Sequence, residues 1–156
     1  MNKFRRAFLK TAGAAGALLA TAGVGLLKSG EVFAATWNKL AFSSNNMNDA
    51  MKNANYGGAV ESKDIVLKAP DIAENGAVVP VEVTSNIPGT TSIALFVEKN
   101  QYPMVADFEL PSGTEPYIST RIKMSQTSNV RVAVRAGGKN YTQVKEVKVT
   151  IGGCGG

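Results

Sequence analysis

The chain has 156 residues, seventeen of them basic and twelve acidic, with one cysteine and no histidine. Without histidine neither a Ser-His-Asp nor a Cys-His arrangement can form, and the commonest metal ligand is missing. One cysteine cannot build a Cys-rich zinc site. No P-loop, dinucleotide-binding glycine pattern or Cys-x-x-Cys-His haem motif occurs, and the carboxylates are scattered as solvated surface charge. This is not the composition of a self-sufficient enzyme.

The chain opens with Lys3-Phe4-Arg5-Arg6-Ala7-Phe8-Leu9-Lys10, the core of a twin-arginine export signal built on Arg5 and Arg6. Phe4 stands where a Ser or Thr is usual. An Ala- and Gly-rich apolar run follows over residues 11–27, and Val32-Phe33-Ala34 offers a cleavage site. The alternative is a retained transmembrane anchor, which needs about 20 strongly apolar residues. This run is shorter, and Gly13, Gly16, Gly23 and Gly25 weaken it. Residues 1–34 are therefore predicted to be a cleaved signal, and the mature protein is predicted to be periplasmic. Removing them takes five basic and one acidic residue, leaving 122 residues with twelve basic and eleven acidic, a net charge of +1. The basicity belongs to the leader, so nucleic-acid binding has no support. The remaining length suits one domain with its own core. Export through this route takes folded proteins, often with a cofactor or a bound partner. No cofactor motif is present, which points to a folded partner carried along.

Residues 43–56 are predicted to form one short helix. Ser43 or Ser44 is the expected N-cap, Met47, Ala50, Met51 and Ala54 form the apolar stripe, and Gly57 with Gly58 is the stop. Trp37, just before it, reads as a packing residue.

From Ser62 onward the pattern is that of strands. Ile65, Val66 and Leu67 make a short apolar run. Asn75 and Gly76 signal a turn. Val79, Val81 and Val83 alternate with Pro80 and Glu82, and Pro80 places that strand at an edge or at a bulge. Pro88 and Gly89 turn the chain. Ile93, Leu95 and Val97 alternate, residues 105–110 form another strand, and Ile118, Thr120, Ile122 and Met124 alternate again. Val130, Val132 and Val134 follow, then a turn at Gly137 and Gly138, then a last strand over residues 141–151. Val147, Val149 and Ile151 share one face there, whereas Val144 falls on the other. A bulge near Lys145 and Glu146 is the predicted remedy. Arg121, Arg131 and Arg135 fall on outward parity and read as a solvated face, with docking of a partner or an anion as the other reading.

Seven short strands with turns between them predict a mainly β protein. Its expected architecture is an immunoglobulin-like antiparallel β-sandwich with one short N-terminal helix, over residues 35–151, followed by a flexible C-terminal arm, residues 152–156. No Cys…Trp…Cys signature is present, so it is not an antibody-type domain.

The arm reads Gly152-Gly153-Cys154-Gly155-Gly156. Glycines on both sides leave Cys154 little to pack against and a permissive backbone. A lone cysteine in an exported chain pairs with another molecule, carries a modification or remains a reactive thiol. From Ile151 to Cys154 the extended chain spans about 10 Å, enough for the thiol to enter a narrow cleft. No Lys, Arg or His lies within five residues of Cys154. An unperturbed thiol titrates near about 8.5 and attacks slowly at neutral pH. Activation must then come from the cleft, and the arm reads as a carrier. The competing readings are an incidental cysteine at a linker end and a disulfide tether to a partner. A prenylation box would need the cysteine fourth from the end, not third.

The ending Val147-Lys148-Val149-Thr150-Ile151-Gly152-Gly153-Cys154-Gly155-Gly156 resembles the C-terminus of the SoxY family, the sulfur-carrying subunits of SoxYZ complexes. The stretch Leu67-Lys68-Ala69-Pro70-Asp71-Ile72-Ala73-Glu74-Asn75-Gly76, with Val79-Pro80-Val81 after it, is similar to the family's early strands. The likeness covers most of residues 43–156. It implies thiosulfate oxidation in the periplasm, with Cys154 as the attachment site for sulfur and Gly152, Gly153, Gly155 and Gly156 as the swinging arm. It also implies a heterodimer with SoxZ and transient docking to SoxAX, a haem enzyme, to SoxB, a manganese-dependent hydrolase, and, in organisms that have one, to a sulfane dehydrogenase; in organisms that lack it the sulfane sulfur is passed on. It implies no resident metal, cofactor or catalytic residue in this chain, only sulfur adducts on Cys154.

Overall fold

The computed structural model describes residues 37–151. The predicted leader with Arg5 and Arg6, and the predicted arm from Gly152 to Gly156, lie outside the described residues. Two short helices come first, α1 (Lys39–Phe42) and α2 (Met47–Asn53). Nine strands follow: β1 (Val60–Glu61), β2 (Ile65–Lys68), β3 (Ile72–Ala73), β4 (Val79–Ser85), β5 (Thr90–Val97), β6 (Met104–Glu109), β7 (Tyr117–Ile122), β8 (Ser128–Ala136) and β9 (Lys139–Val149). They form the predicted two-sheet, mainly β sandwich. The larger sheet runs β1-β9-β8-β5-β6 with β3 also on β9, and the smaller runs β2-β4-β7.

The alternating residues do what their spacing predicts. Val79, Val81 and Val83 from β4 meet Ile93, Leu95, Val97, Val130, Val132 and Val134 from β5 and β8, all buried between the sheets. Their burial drives the pairing of the two layers, each such side chain contributing about 1.5–3 kcal/mol when fully removed from water. Gly137 and Gly138 both adopt positive φ, 55° and 74°. That is the backbone a two-residue hairpin turn between twisted strands requires.

A third layer was not predicted. Part of the opposite face of the larger sheet, on β5, β6 and β8, is also buried, under α1 and α2. Ala94, Phe96, Met104 and Ala133 pack there against Ala41, Ala50, Ala54 and Tyr56. This explains why β5 is buried continuously from Ser92 to Val97. The helix stripe is as predicted, with Ala50 and Ala54 buried and Met47 and Met51 packed against that cluster.

The helix ends differ from expectation. Asn46, not Ser43 or Ser44, caps α2, its side chain accepting from the Asp49 amide at 2.9 Å. The stop is Asn55 in the left-handed region at φ 61°, ahead of the two glycines. Before α2 the chain makes the extra turn α1, capped by Asn38, and Trp37 stacks on Phe42 with ring centroids 4.2 Å apart.

Three further expectations are corrected. The bulge near Lys145 and Glu146 is absent, because β9 stays in continuous register with β8 from Lys139 to Val147. Val144 therefore faces the helix side, opposite Arg131, and Lys145 occupies an inward position. Lys145 tolerates it by reaching out: its Nζ donates to the Ala69 carbonyl at 2.6 Å and lies 2.9 Å from Asp71 Oδ1. Secondly, β4 is the central strand of its sheet, not an edge. Pro80 is accommodated because β2 ends at Lys68, opposite Glu82, so Pro80 has a strand neighbour only on its β7 side. Thirdly, of the three outward arginines only Arg121 is exposed. Arg131 pairs with Glu98 at 3.1 Å, and Arg135 lies 3.8 Å from Glu109.

The short strands β1 and β3 pair parallel to β9, an addition to the antiparallel plan. Among the described residues no helix is long and apolar enough to cross a membrane.

Candidate functional site

The sequence points to the end of β9, and the structure shows how that end is held. β3 lies parallel to it, pairing Ile72 with Lys148 and Ala73 with Val149. The backbone bonds continue past the strand: Lys148 donates to the Asp71 carbonyl at 3.0 Å, and Thr150 to the Ala73 carbonyl at 3.1 Å. The Gly76 amide then donates to the Ile151 carbonyl at 2.8 Å. The Thr150 hydroxyl donates to the Glu74 carbonyl at 3.1 Å. On the other side the Val149 amide donates to Thr127 Oγ1 at 2.9 Å.

The clamp is itself anchored. The Met124 amide donates to the Gly76 carbonyl at 2.7 Å. The Asn75 side chain accepts from the Ala77 amide at 2.8 Å, closing a local turn. Asn75 and Gly76 thus do more than turn the chain: they carry it from the larger sheet to the smaller one and grip Ile151 on the way.

Hydrogen bonding therefore accompanies β9 to Ile151, the last described residue. Cys154, the predicted attachment site, lies three residues beyond it, outside the described residues together with its glycines. The reach of about 10 Å is measured from this held point. Among the described residues no group of three or more acidic or other ligating side chains could hold a metal ion.

The sequence reading missed a second cluster, on the helix side of the larger sheet. The Tyr56 hydroxyl donates to Asp107 Oδ1 at 2.9 Å and lies 2.8 Å from Ser92 Oγ. The Arg135 guanidinium sits 4.7 Å from the centre of the Tyr56 ring, and its Nη2 donates to the Ala54 carbonyl at 3.2 Å. Phe96 meets the same ring edge-on at 6.2 Å. Burial is the main reason that the Tyr56 phenol is held well above its ordinary range. Burial likewise raises Asp107, against the lowering effects of the Tyr56 hydrogen bond and the Arg135 charge. Tyr56 thus stays a neutral donor, pinning the end of the helix layer to β5, β6 and β8. Only the helix layer makes Asp107 and Arg135 a site, and nothing in strand alternation reveals that layer.

A surface hollow of about 510 Å³ lies at the other end of the sandwich, between residues 85–91 and 110–116. β9 begins at that end and finishes at the opposite one, so this hollow is far from the root of the arm.

Comparison with known proteins gives the family. The family model for the sulfur oxidation protein SoxY matches residues 52–154, ending on Cys154. Among solved structures, the sulfur carrier protein SoxY from Chlorobium limicola f thiosulfatophilum is 48% identical, with a TM-score of 0.58. The match covers 66% of this chain and 96% of that one. A superoxide reductase (neelaredoxin) from Ignicoccus hospitalis is 18% identical with a TM-score of 0.50, covering 64% of this chain and 86% of that one. At that identity the likeness is one of fold alone. The comparison with curated proteins returned no match. With a family match over most of the described fold and through the predicted attachment cysteine, the chain belongs to the SoxY family of sulfur oxidation proteins.

Proposed function

We propose that the mature chain is a periplasmic carrier that holds intermediates of thiosulfate oxidation covalently on Cys154. The observation that carries this reading is the pairing of a held strand end at Ile151 with a glycine-flanked cysteine three residues on. A rigid root with a thin, unbranched tip suits delivery of a sulfur atom into another protein's cleft.

The chemistry divides between this chain and its partners. In the first step the Cys154 thiol loses its proton and its sulfur bonds to the sulfane sulfur of thiosulfate. Two electrons leave to the haem enzyme SoxAX, and Cys154 carries an S-thiosulfonate. In the second, water attacks the sulfonate sulfur on the hydrolase SoxB. The sulfur–sulfur bond to the sulfonate breaks, sulfate and a proton are released, and a persulfide stays on Cys154. The remaining sulfane sulfur is then oxidised by a sulfane dehydrogenase or, where the organism has none, passed on to another acceptor. The chain contributes the sulfur atom and its positioning, is not itself an enzyme and holds no resident cofactor. Export with SoxZ as a folded heterodimer accounts for the twin-arginine leader, since the route takes assembled proteins.

The Cys154→Ser variant tests the reading. It is expected to fold, assemble and be exported like the parent, yet to release no sulfate from thiosulfate with the partner enzymes present. Normal sulfate release by that variant would remove Cys154 from the mechanism.

A further inference from the structure

The chain contains one Asn-Gly pair, Asn75-Gly76, and the pair has a chemistry of its own. The backbone nitrogen that follows an asparagine can attack that residue's side-chain carbonyl carbon. Glycine has no Cβ to hinder the nitrogen or to restrict its approach. This reaction is one reason why asparagine is a heat-labile residue.

In the folded chain both reacting groups are held. The Gly76 amide donates its hydrogen to the Ile151 carbonyl at 2.8 Å, and the Gly76 carbonyl accepts from the Met124 amide at 2.7 Å. Asn75 Oδ1 accepts from the Ala77 amide at 2.8 Å, which holds the side chain over Ala77. Attack requires the Gly76 nitrogen to lose the very proton that Ile151 holds. It also requires Asn75 to swing its Cγ onto that nitrogen. The Ala77 bond is local to the turn, whereas the Ile151 bond exists only while the end of β9 is in place. That end is secured by the Thr150 hydroxyl on the Glu74 carbonyl and by the Val149 amide on Thr127 Oγ1. Gly76 is buried but Asn75 is exposed, so water reaches the side chain and a leaving group can depart.

We infer that Asn75 is a modification site, a deamidation site that the end of β9 keeps closed. When the strand end lets go, the Gly76 nitrogen gives its proton to water and bonds to Asn75 Cγ. The bond from Cγ to the side-chain nitrogen breaks, and ammonia leaves. Water then opens the resulting five-membered imide at either carbonyl, giving aspartate or isoaspartate. The sum is one water consumed and one ammonia released, with no oxidation or reduction. Both products put a carboxylate next to Glu74. Isoaspartate also lengthens the backbone by one carbon, which moves the Gly76 amide away from the Ile151 carbonyl. The modification therefore records a release of the strand end and hinders its return. The inference stands whether or not Cys154 carries sulfur.

The test incubates the mature full-length protein under native, mildly alkaline conditions. Peptide mapping follows the mass change at Asn75, and enzymatic methylation scores isoaspartate. A Thr127→Ala/Thr150→Val double variant removes two bonds to the strand end and leaves the turn itself unchanged. Looser closure should make native deamidation about tenfold faster than in the parent, as a local opening equilibrium requires. In urea the two proteins should react at one rate, since the pair is identical in both. Equal native rates in parent and folded variant overturn the inference. A variant that does not fold leaves two measurements on the parent. Hydrogen exchange at the Gly76 amide should be strongly slowed, and Asn75 should deamidate at least about tenfold more slowly in buffer than in urea. A Gly76 amide that exchanges as freely as in the unfolded chain, or equal rates in buffer and urea, overturns it as well.

Discussion

The two ends of the sandwich are built differently. At the end where β9 begins, tight glycine turns join the strands: Gly89, Gly113, Gly137 and Gly138 all take positive φ. The loops there leave the open hollow of about 510 Å³. At the end where β9 finishes, the loops hydrogen-bond to one another and to the strand itself, and they expose Ile72, Val78, Tyr102 and Ile151. Pocket size alone would place function at the first end. The proposed carrier role places it at the second, because a carrier needs a fixed point from which to measure reach more than it needs a cavity.

The sharpest way to break this comparison is to shorten the arm while leaving its root alone. Deleting Gly152 and Gly153 puts Cys154 directly after Ile151 and cuts the reach to about 3.5 Å. Turnover by the partner enzymes should fall about 100-fold or more, since even small misplacement of a reacting group costs that much. Labelling by a small alkylating reagent, followed by mass spectrometry, should persist. Undiminished turnover would mean that the held root does not set the reach.

A second change separates the root from the helix layer. Phe96 is fully buried on the helix side of β5. Phe96→Ala should cost about 3–5 kcal/mol in urea unfolding. The surviving folded fraction should still take up sulfur on Cys154, because the helix layer is not part of the arm end. Loss of uptake in fully folded variant protein would tie the two regions together.

A smaller effect concerns Asp107, whose half-buried carboxyl is raised. The folded state then holds its proton to higher pH than the unfolded state does. This contribution to stability is complete below the ordinary carboxylate range and is lost as pH rises through the raised value. Asp107→Asn removes that dependence. Melting temperatures measured from acid to neutral pH should show the variant gaining on the parent as pH rises. Parallel curves would mean that Asp107 titrates as an exposed carboxylate does.

Much of this architecture was legible in the residues. The alternation of Val79, Val81 and Val83, and of Val130, Val132 and Val134, identified strands and their inward faces, because a half-buried strand has a period of two. The same rule misled at β8 and β9. Arg131, Arg135 and Val144 fall on the face that alternation marks as outward, but Arg135 there meets Ala54 and Tyr56, contributed from far away in the chain, and Arg131 is held by Glu98. Short strands β1 and β3 were invisible because two residues carry no periodicity. The lone, glycine-flanked Cys154 stood out from composition alone, whereas the hold on the strand end before it did not: the Gly76, Thr127 and Met124 bonds depend on which loops the topology brings together.

The most direct test is the intact mass of the mature protein after incubation with thiosulfate and the oxidising haem enzyme. The account predicts an added sulfane sulfur with its sulfonate group, located on Cys154 by fragmentation and absent from Cys154→Ser. A parent that gains no mass, or one recovered stoichiometrically as an interchain disulfide through Cys154, would contradict it.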